Sequence, residues 1–125
     1  MKLVVLGNTP AQKNRKKIVW RRGMKQPRLI TEQPVKDWQR RAIIQLISQL
    51  PVAYKKPIQP VSIALIVFWD DKIRRDLDNA VNSIMDALVR AEVIADDSFK
   101  YVDCIDAQYG GVDKDNPRCE VYIDI

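Results

Sequence analysis

The chain contains no histidine. That removes Ser–His and Cys–His nucleophile pairs, a histidine general base and any His-ligated zinc hydrolase. Catalysis, if present, must rest on carboxylates, lysines, tyrosines or bound metal. Cysteine is scarce as well: only Cys104 and Cys119 occur, in separate strand-like segments and without the paired spacing of a zinc site or a disulfide framework. A reduced, cytoplasmic setting is expected. Long apolar runs are also missing. The longest, Val61 to Trp69, is interrupted by Ser62 and too short to span a bilayer, and the N-terminus lacks a signal-peptide pattern, so no membrane partner is expected. Repeats, low-complexity tracts and linkers are absent too, and 125 residues suit one domain over 1–125.

What is present is charge, unevenly placed. Between Ala11 and Arg41 eleven Lys/Arg face only Glu32 and Asp37, whereas from Ala91 to Ile125 nine Asp/Glu face Lys100, Lys114 and Arg118. A basic half beside an acidic one suits a protein that grips a polyanion and holds metal near it. Lys13, Asn14, Arg15, Lys16, Lys17, Arg21, Arg22 and Arg75 are the candidate DNA contacts. The plainer alternative is that these are solvated loops.

Periodicity outlines the fold. Lys2 to Leu6 reads as a strand closed by Gly7-Asn8. Ile18 to Trp20 and Arg28 to Ile30 read as a small basic hairpin, with Trp20 available for stacking or for packing. Thr31 is placed to cap a helix in which Val35, Trp38, Ala42, Leu46 and Leu50 share one face, stopped by Pro51. Val61 to Trp69 is apolar on both faces, the pattern of a central strand covered twice. Leu77, Val81, Ile84, Met85 and Leu88 stripe a second helix. Phe99 to Tyr109 and Cys119 to Ile125 read as strands joined in an antiparallel hairpin. The expected fold is an α/β (α+β) single domain: a mixed sheet of about four main strands, a small basic hairpin and two covering helices.

The chemistry concentrates in Arg74-Arg75-Asp76-Leu77-Asp78-Asn79 and in Asp96-Asp97, which bracket the second helix. Two carboxylates about 4 Å apart repel by roughly 1 kcal/mol in water and more within a protein, so a crowded set needs a cation. Aspartate also favours helix N-termini, so Asp76 or Asp78 has an alternative as a cap. A calcium loop fails, because the sixth-position glycine and the terminal glutamate are missing. The Asp-x-Asp of glycosyltransferases fails for want of a nucleotide-binding domain. If the strands flanking the second helix are neighbours, Asp96-Asp97 returns to the same end of the sheet. There the aspartates would ligate one or two Mg²⁺ or Mn²⁺ ions, and paired ions suit in-line phosphodiester cleavage. Lys72 and Arg74 lie beside this cluster as partners for a phosphate.

The run Arg75-Asp76-Leu77-Asp78-Asn79, followed by Asp86-Ala87-Leu88 and Asp96-Asp97, resembles the signature of the RusA family of Holliday junction resolvases. So does the N-terminal half, with its first strand, Pro10-to-Arg15 loop, basic hairpin and helix entered at Thr31. The resemblance implies a homodimer of mixed α/β fold from a bacterium or phage. It would cut branched, four-way DNA symmetrically with Mg²⁺ or Mn²⁺. It implies Asp76, Asp78 and Asp97 as catalytic metal ligands, with Asp96 in support. One position departs: where the family commonly has lysine, four residues past the second aspartate, this chain has Asn82. Asparagine supplies no positive charge. Either Lys72, Arg74 or Lys100 supplies it, or cutting is slower, or the chain keeps junction binding and has lost efficient cutting.

Overall fold

In a computed structural model, residues 1–11, 16–20, 22–23, 25–31 and 33–125 are described. Elements follow in the order β1 (Lys2–Leu6), β2 (Lys16–Val19), β3 (Arg28–Thr31), α1 (Gln33–Gln49), β4 (Val61–Trp69), α2 (Leu77–Arg90), β5 (Val102–Val112) and β6 (Arg118–Ile123). The expected single small α+β domain is what forms: a mixed four-stranded sheet, a separate β2–β3 hairpin and two helices.

Alternation builds the core. Every second residue of β4 (Val61, Ile63, Leu65, Val67, Trp69) is buried on one face, where Leu3 and Val5 of β1 and Cys119, Val121 and Ile123 of β6 join them. Trp38, Ala42 and Leu46 of α1 close this face from one side; Ala80, Ile84, Met85, Ala87 and Leu88 of α2 close it from the other. Helix α1 packs over β1 and α2 over β5. Helix α1 begins two residues after Thr31, which belongs to β3, so Thr31 is not its cap.

Three sequence expectations are corrected. First, β5 and β6 are not a hairpin. The order across the sheet is β1-β6-β4-β5, with β5 parallel to β4 and β6 antiparallel to it on the other side. Alternation signals a strand and says nothing about its neighbour. The turn after β5 instead crosses the end of β4, where the Asp113 N–H donates to the Trp69 carbonyl at 2.8 Å. Second, β5 starts later than Phe99 and continues through Gly110-Gly111. Third, β4 is covered on one face only; Ser62, Ala64, Ile66 and Phe68 are half-buried on an open face that no helix covers.

Side chains cover that open face locally. The Arg118 guanidinium lies 4.0 Å from the Phe68 ring centroid and bonds Glu120 at 2.9 Å and Asp113 at 2.8 Å. Its hydrogen bond to Glu120 comes first in raising its pKa, although partial desolvation opposes the shift. Phe68 lies flat because Gly110, beside the β4–β5 register shift, has no side chain. A Cβ there would meet the Phe68 ring at 2.6 Å and the Ile66 methyl at 2.8 Å. Overpacking at such a site costs about 1–3 kcal/mol. Gly110→Ala should therefore lower the urea midpoint with an unchanged slope; an unaltered midpoint would show that Phe68 swings away freely.

Candidate active site

The segment from β4 to α2 is held as a rigid corner. The Asp71 carboxylate accepts from the Ile73 N–H at 3.1 Å and from the Arg75 guanidinium at 2.6 Å, and Arg75 lies over the Trp69 ring at 5.5 Å. The Arg75 bond comes first in holding Asp71 below the usual carboxylate range. Arg75, expected from the sequence to face DNA, thus braces the loop with a guanidinium already engaged. Lys72 and Arg74 remain exposed beside it.

The corner is also tied to the first loop. The Asp70 N–H donates to the Asn8 side-chain oxygen at 3.0 Å, Trp69 Nε1 to the Thr9 carbonyl at 2.9 Å, and the Ser83 hydroxyl to the Pro10 carbonyl at 2.9 Å. These contacts bring the root of the basic segment to the acidic corner. No motif announced them, since each depends on partners far apart in sequence. Lys13, Asn14, Arg15 and Arg21 lie outside the described residues. Lys16 and Lys17 are placed in β2 by their backbone, and Arg22 is exposed at the hairpin tip. Trp20 is exposed just past β2.

Asp76 occupies the N-cap of α2 with extended backbone (φ −91°, ψ 120°), yet its side chain makes no capping hydrogen bond. The plain capping explanation therefore fails for Asp76, and its carboxylate is exposed. Asp78, in the first turn, is exposed as well. Asn82 lies four residues on, exposed on the same helical flank. Asp86 is occupied elsewhere, pairing with Arg90 at 3.2 Å and accepting from Gln39 of α1 at 3.4 Å.

Asp97 is not with them. Because β5 runs parallel to β4, α2 must carry the chain back to the opposite end of the sheet before β5 begins. Its 14 residues cover about 20 Å at roughly 1.5 Å per residue. Ser98, next to Asp97, accepts from the N–H groups of Tyr101 and Val102, while the Tyr101 carbonyl accepts from Val61 at the start of β4. Asp76 and Asp78 sit instead beyond the end of β4. The expectation that Asp96-Asp97 return to the same end is thus corrected within one chain. The two strands are neighbours, but parallel ones begin together. Among the described residues no group of three or more His, Cys, Asp or Glu is arranged to hold a metal ion.

Asp96, Asp97 and Lys100 are exposed at this far end, and between them stands Phe99, 88% exposed. An aromatic side chain that open beside two carboxylates has no packing role in one protomer, a feature hidden when Phe99 is read as a strand residue. Among the described residues no helix is long and apolar enough to cross a membrane.

No curated protein matches the chain. A family model described as Endodeoxyribonuclease RusA matches residues 8–124, which takes in both ends of α2 and the basic segment.

Proposed function

The chain belongs to the RusA family of Holliday junction endodeoxyribonucleases, and from that premise we propose that it resolves four-way DNA junctions by paired, symmetric, metal-dependent cleavage as a homodimer. The supporting observation is the split donor set. Asp76 and Asp78 project exposed from one end of α2, Asp76 without a cap bond, and Asp97 is exposed beyond the other end. One protomer therefore offers two half-sites and no whole one. A two-fold related copy runs its α2 the other way, so the partner's Asp97 meets Asp76 and Asp78, and the reverse holds at the second site. Two equivalent sites match the two equivalent strands of a junction.

The donors are all hard carboxylate oxygens, the set that Mg²⁺ or Mn²⁺ prefers. Bound there, such an ion supplies a water nucleophile and neutralises charge on the leaving oxygen. The chain's own residues do the rest. Asp76 and Asp78 are pre-aimed by a corner that Asp71, Arg75 and Trp69 brace. Lys72 and Arg74 neutralise the scissile phosphate in place of the charge that Asn82 lacks, with Lys100 arriving from the partner beside Asp97. The basic segment from Lys13 to Arg22 grips flanking phosphates, which fixes shape and register with little sequence reading. Asp96 supports Asp97. Such an enzyme works in the cytoplasm of a bacterium, with a phage as an alternative source.

The test is a synthetic four-way junction incubated with Mg²⁺, Mn²⁺ or EDTA. Paired nicks that need metal support the enzyme. A shifted band without nicks favours the second reading, a branched-DNA binder, for which Asn82 is the specific sign. In either case affinity should fall with salt, log K dropping by about 0.9 per phosphate neutralised for each decade; a flat response contradicts the basic-segment assignment.

A further inference from the structure

We propose that β5 is the seam of the dimer: two copies pair β5 with β5 antiparallel across a two-fold axis at Ala107, joining the two four-stranded sheets into one. The inference rests on the two-copy reading above and says which surface makes it.

The first observation is an open edge. β5 is 11 residues long and ends the sheet, bonded to β4 on one side and to no strand on the other. A long strand with a row of unpaired N–H and C=O groups is a template for another strand. Pro, Lys and Arg, the residues that usually blunt such an edge, are absent between Val102 and Val112. Ile105 (43% exposed) and Tyr109 (55%) stand on its helix-facing side.

The second observation is register. Ala107 is the midpoint of Val102–Val112. Pairing about it sets Ile105 opposite the partner's Tyr109 and Asp106 opposite the partner's Gln108, whose amide donates to a carboxylate. No acid then faces an acid. Centring on Asp106 would oppose that carboxylate to its own copy, and centring on Gln108 would oppose Asp103 to the partner's Asp113. Like charges directly opposite are destabilising.

The third is the missing ligand. An axis perpendicular to the sheet keeps both α2 helices on the same face, side by side and antiparallel. Gln39 bonded to Asp86, and Pro10 bonded to Ser83, mark the flank of α2 turned toward α1 and the first loop. Asp78, Val81 and Val89 lie on the other flank, above the free edge, where Val81 and Val89 are only half-buried. Running β5 antiparallel to itself takes the partner's Asp97 from the start of its strand to the end of this one, the end at which Asp76 and Asp78 wait.

Cysteine crosslinking reads the seam. Directly opposed Cα atoms in an antiparallel pair lie about 4.5–5.5 Å apart, within disulfide reach. Cys119 is buried, and burial first, then Glu120, pushes its thiol up to about 12. Cys104→Ser therefore leaves a background without an exposed native thiol. In it, Ala107→Cys should give nearly complete disulfide-linked dimer on mild oxidation. Asp103→Cys should give almost none, since its two copies would sit roughly 26 Å apart at ~3.3 Å per residue. Gln108→Asp, which opposes two acid pairs, should weaken dimerisation by at least about tenfold in sedimentation. Adding Asp106→Lys should restore it. A protein of twice 14.5 kDa that cuts junctions but leaves Ala107→Cys uncrosslinked overturns the seam and leaves the nuclease standing. A dimer that crosslinks at 107 yet never nicks supports the seam and overturns the nuclease.

Discussion

Asp78→Asn should abolish junction cleavage and leave junction binding almost unchanged. The substitution keeps the shape of the side chain and removes the charge that a divalent ion needs. Asp78 is exposed in the first turn of α2, so the fold loses only its favourable interaction with the helix dipole, about 0.3–1 kcal/mol. Single-turnover nicking at saturating protein should fall by at least about a thousandfold, roughly 4 kcal/mol of transition-state stabilisation. Affinity in a gel shift should hold or rise slightly, since a negative charge beside the phosphates has gone. Cutting at the wild-type rate would falsify the ligand assignment.

Asp97→Asn should be equally damaging, and for a less obvious reason. Asp97 stands at the start of the β5 side of the crossover, about 20 Å from Asp78 along α2, and touches nothing in its own protomer's acidic corner. If each chain worked alone, removing a carboxylate that distant would barely change the rate. If the partner's Asp97 completes the site, the loss should again reach about a thousandfold, with unfolding midpoint and dimer mass preserved. A rate within a few-fold of wild type would leave Asp76 and Asp78 as the whole protein contribution.

Much of this was legible in the chain and some was not, for physical reasons. The nine-residue β4 and the α2 stripe are strong local patterns: period 2 against period 3.6, each ending at charged residues. The acidic corner was visible because four aspartates crowd two short stretches. Strand order was not visible, because alternation in β5 and β6 specifies which face is apolar and leaves the neighbour open. That one ambiguity displaced Asp97: with β5 parallel to β4, it belongs at the far end of the sheet. The role of Arg75 was hidden likewise. A guanidinium beside aspartates reads as a phosphate contact until Asp71 and Trp69 are seen to hold it. Asn8, Thr9 and Pro10 read only as a turn, because their bonds to Asp70, Trp69 and Ser83 span some seventy positions.

Mixing the two inactive variants tests the shared site most directly. In a heterodimer of an Asp78→Asn chain with an Asp97→Asn chain, one site carries both defects and the other carries neither, provided the ligands come from different protomers. An equimolar, re-equilibrated mixture should then recover about a quarter of the wild-type sites, by random two-fold assortment, and it should nick single strands of the junction without paired resolution. If all three aspartates served within one chain, every site in the mixture would carry a defect. Activity no higher than that of either variant alone would contradict the account.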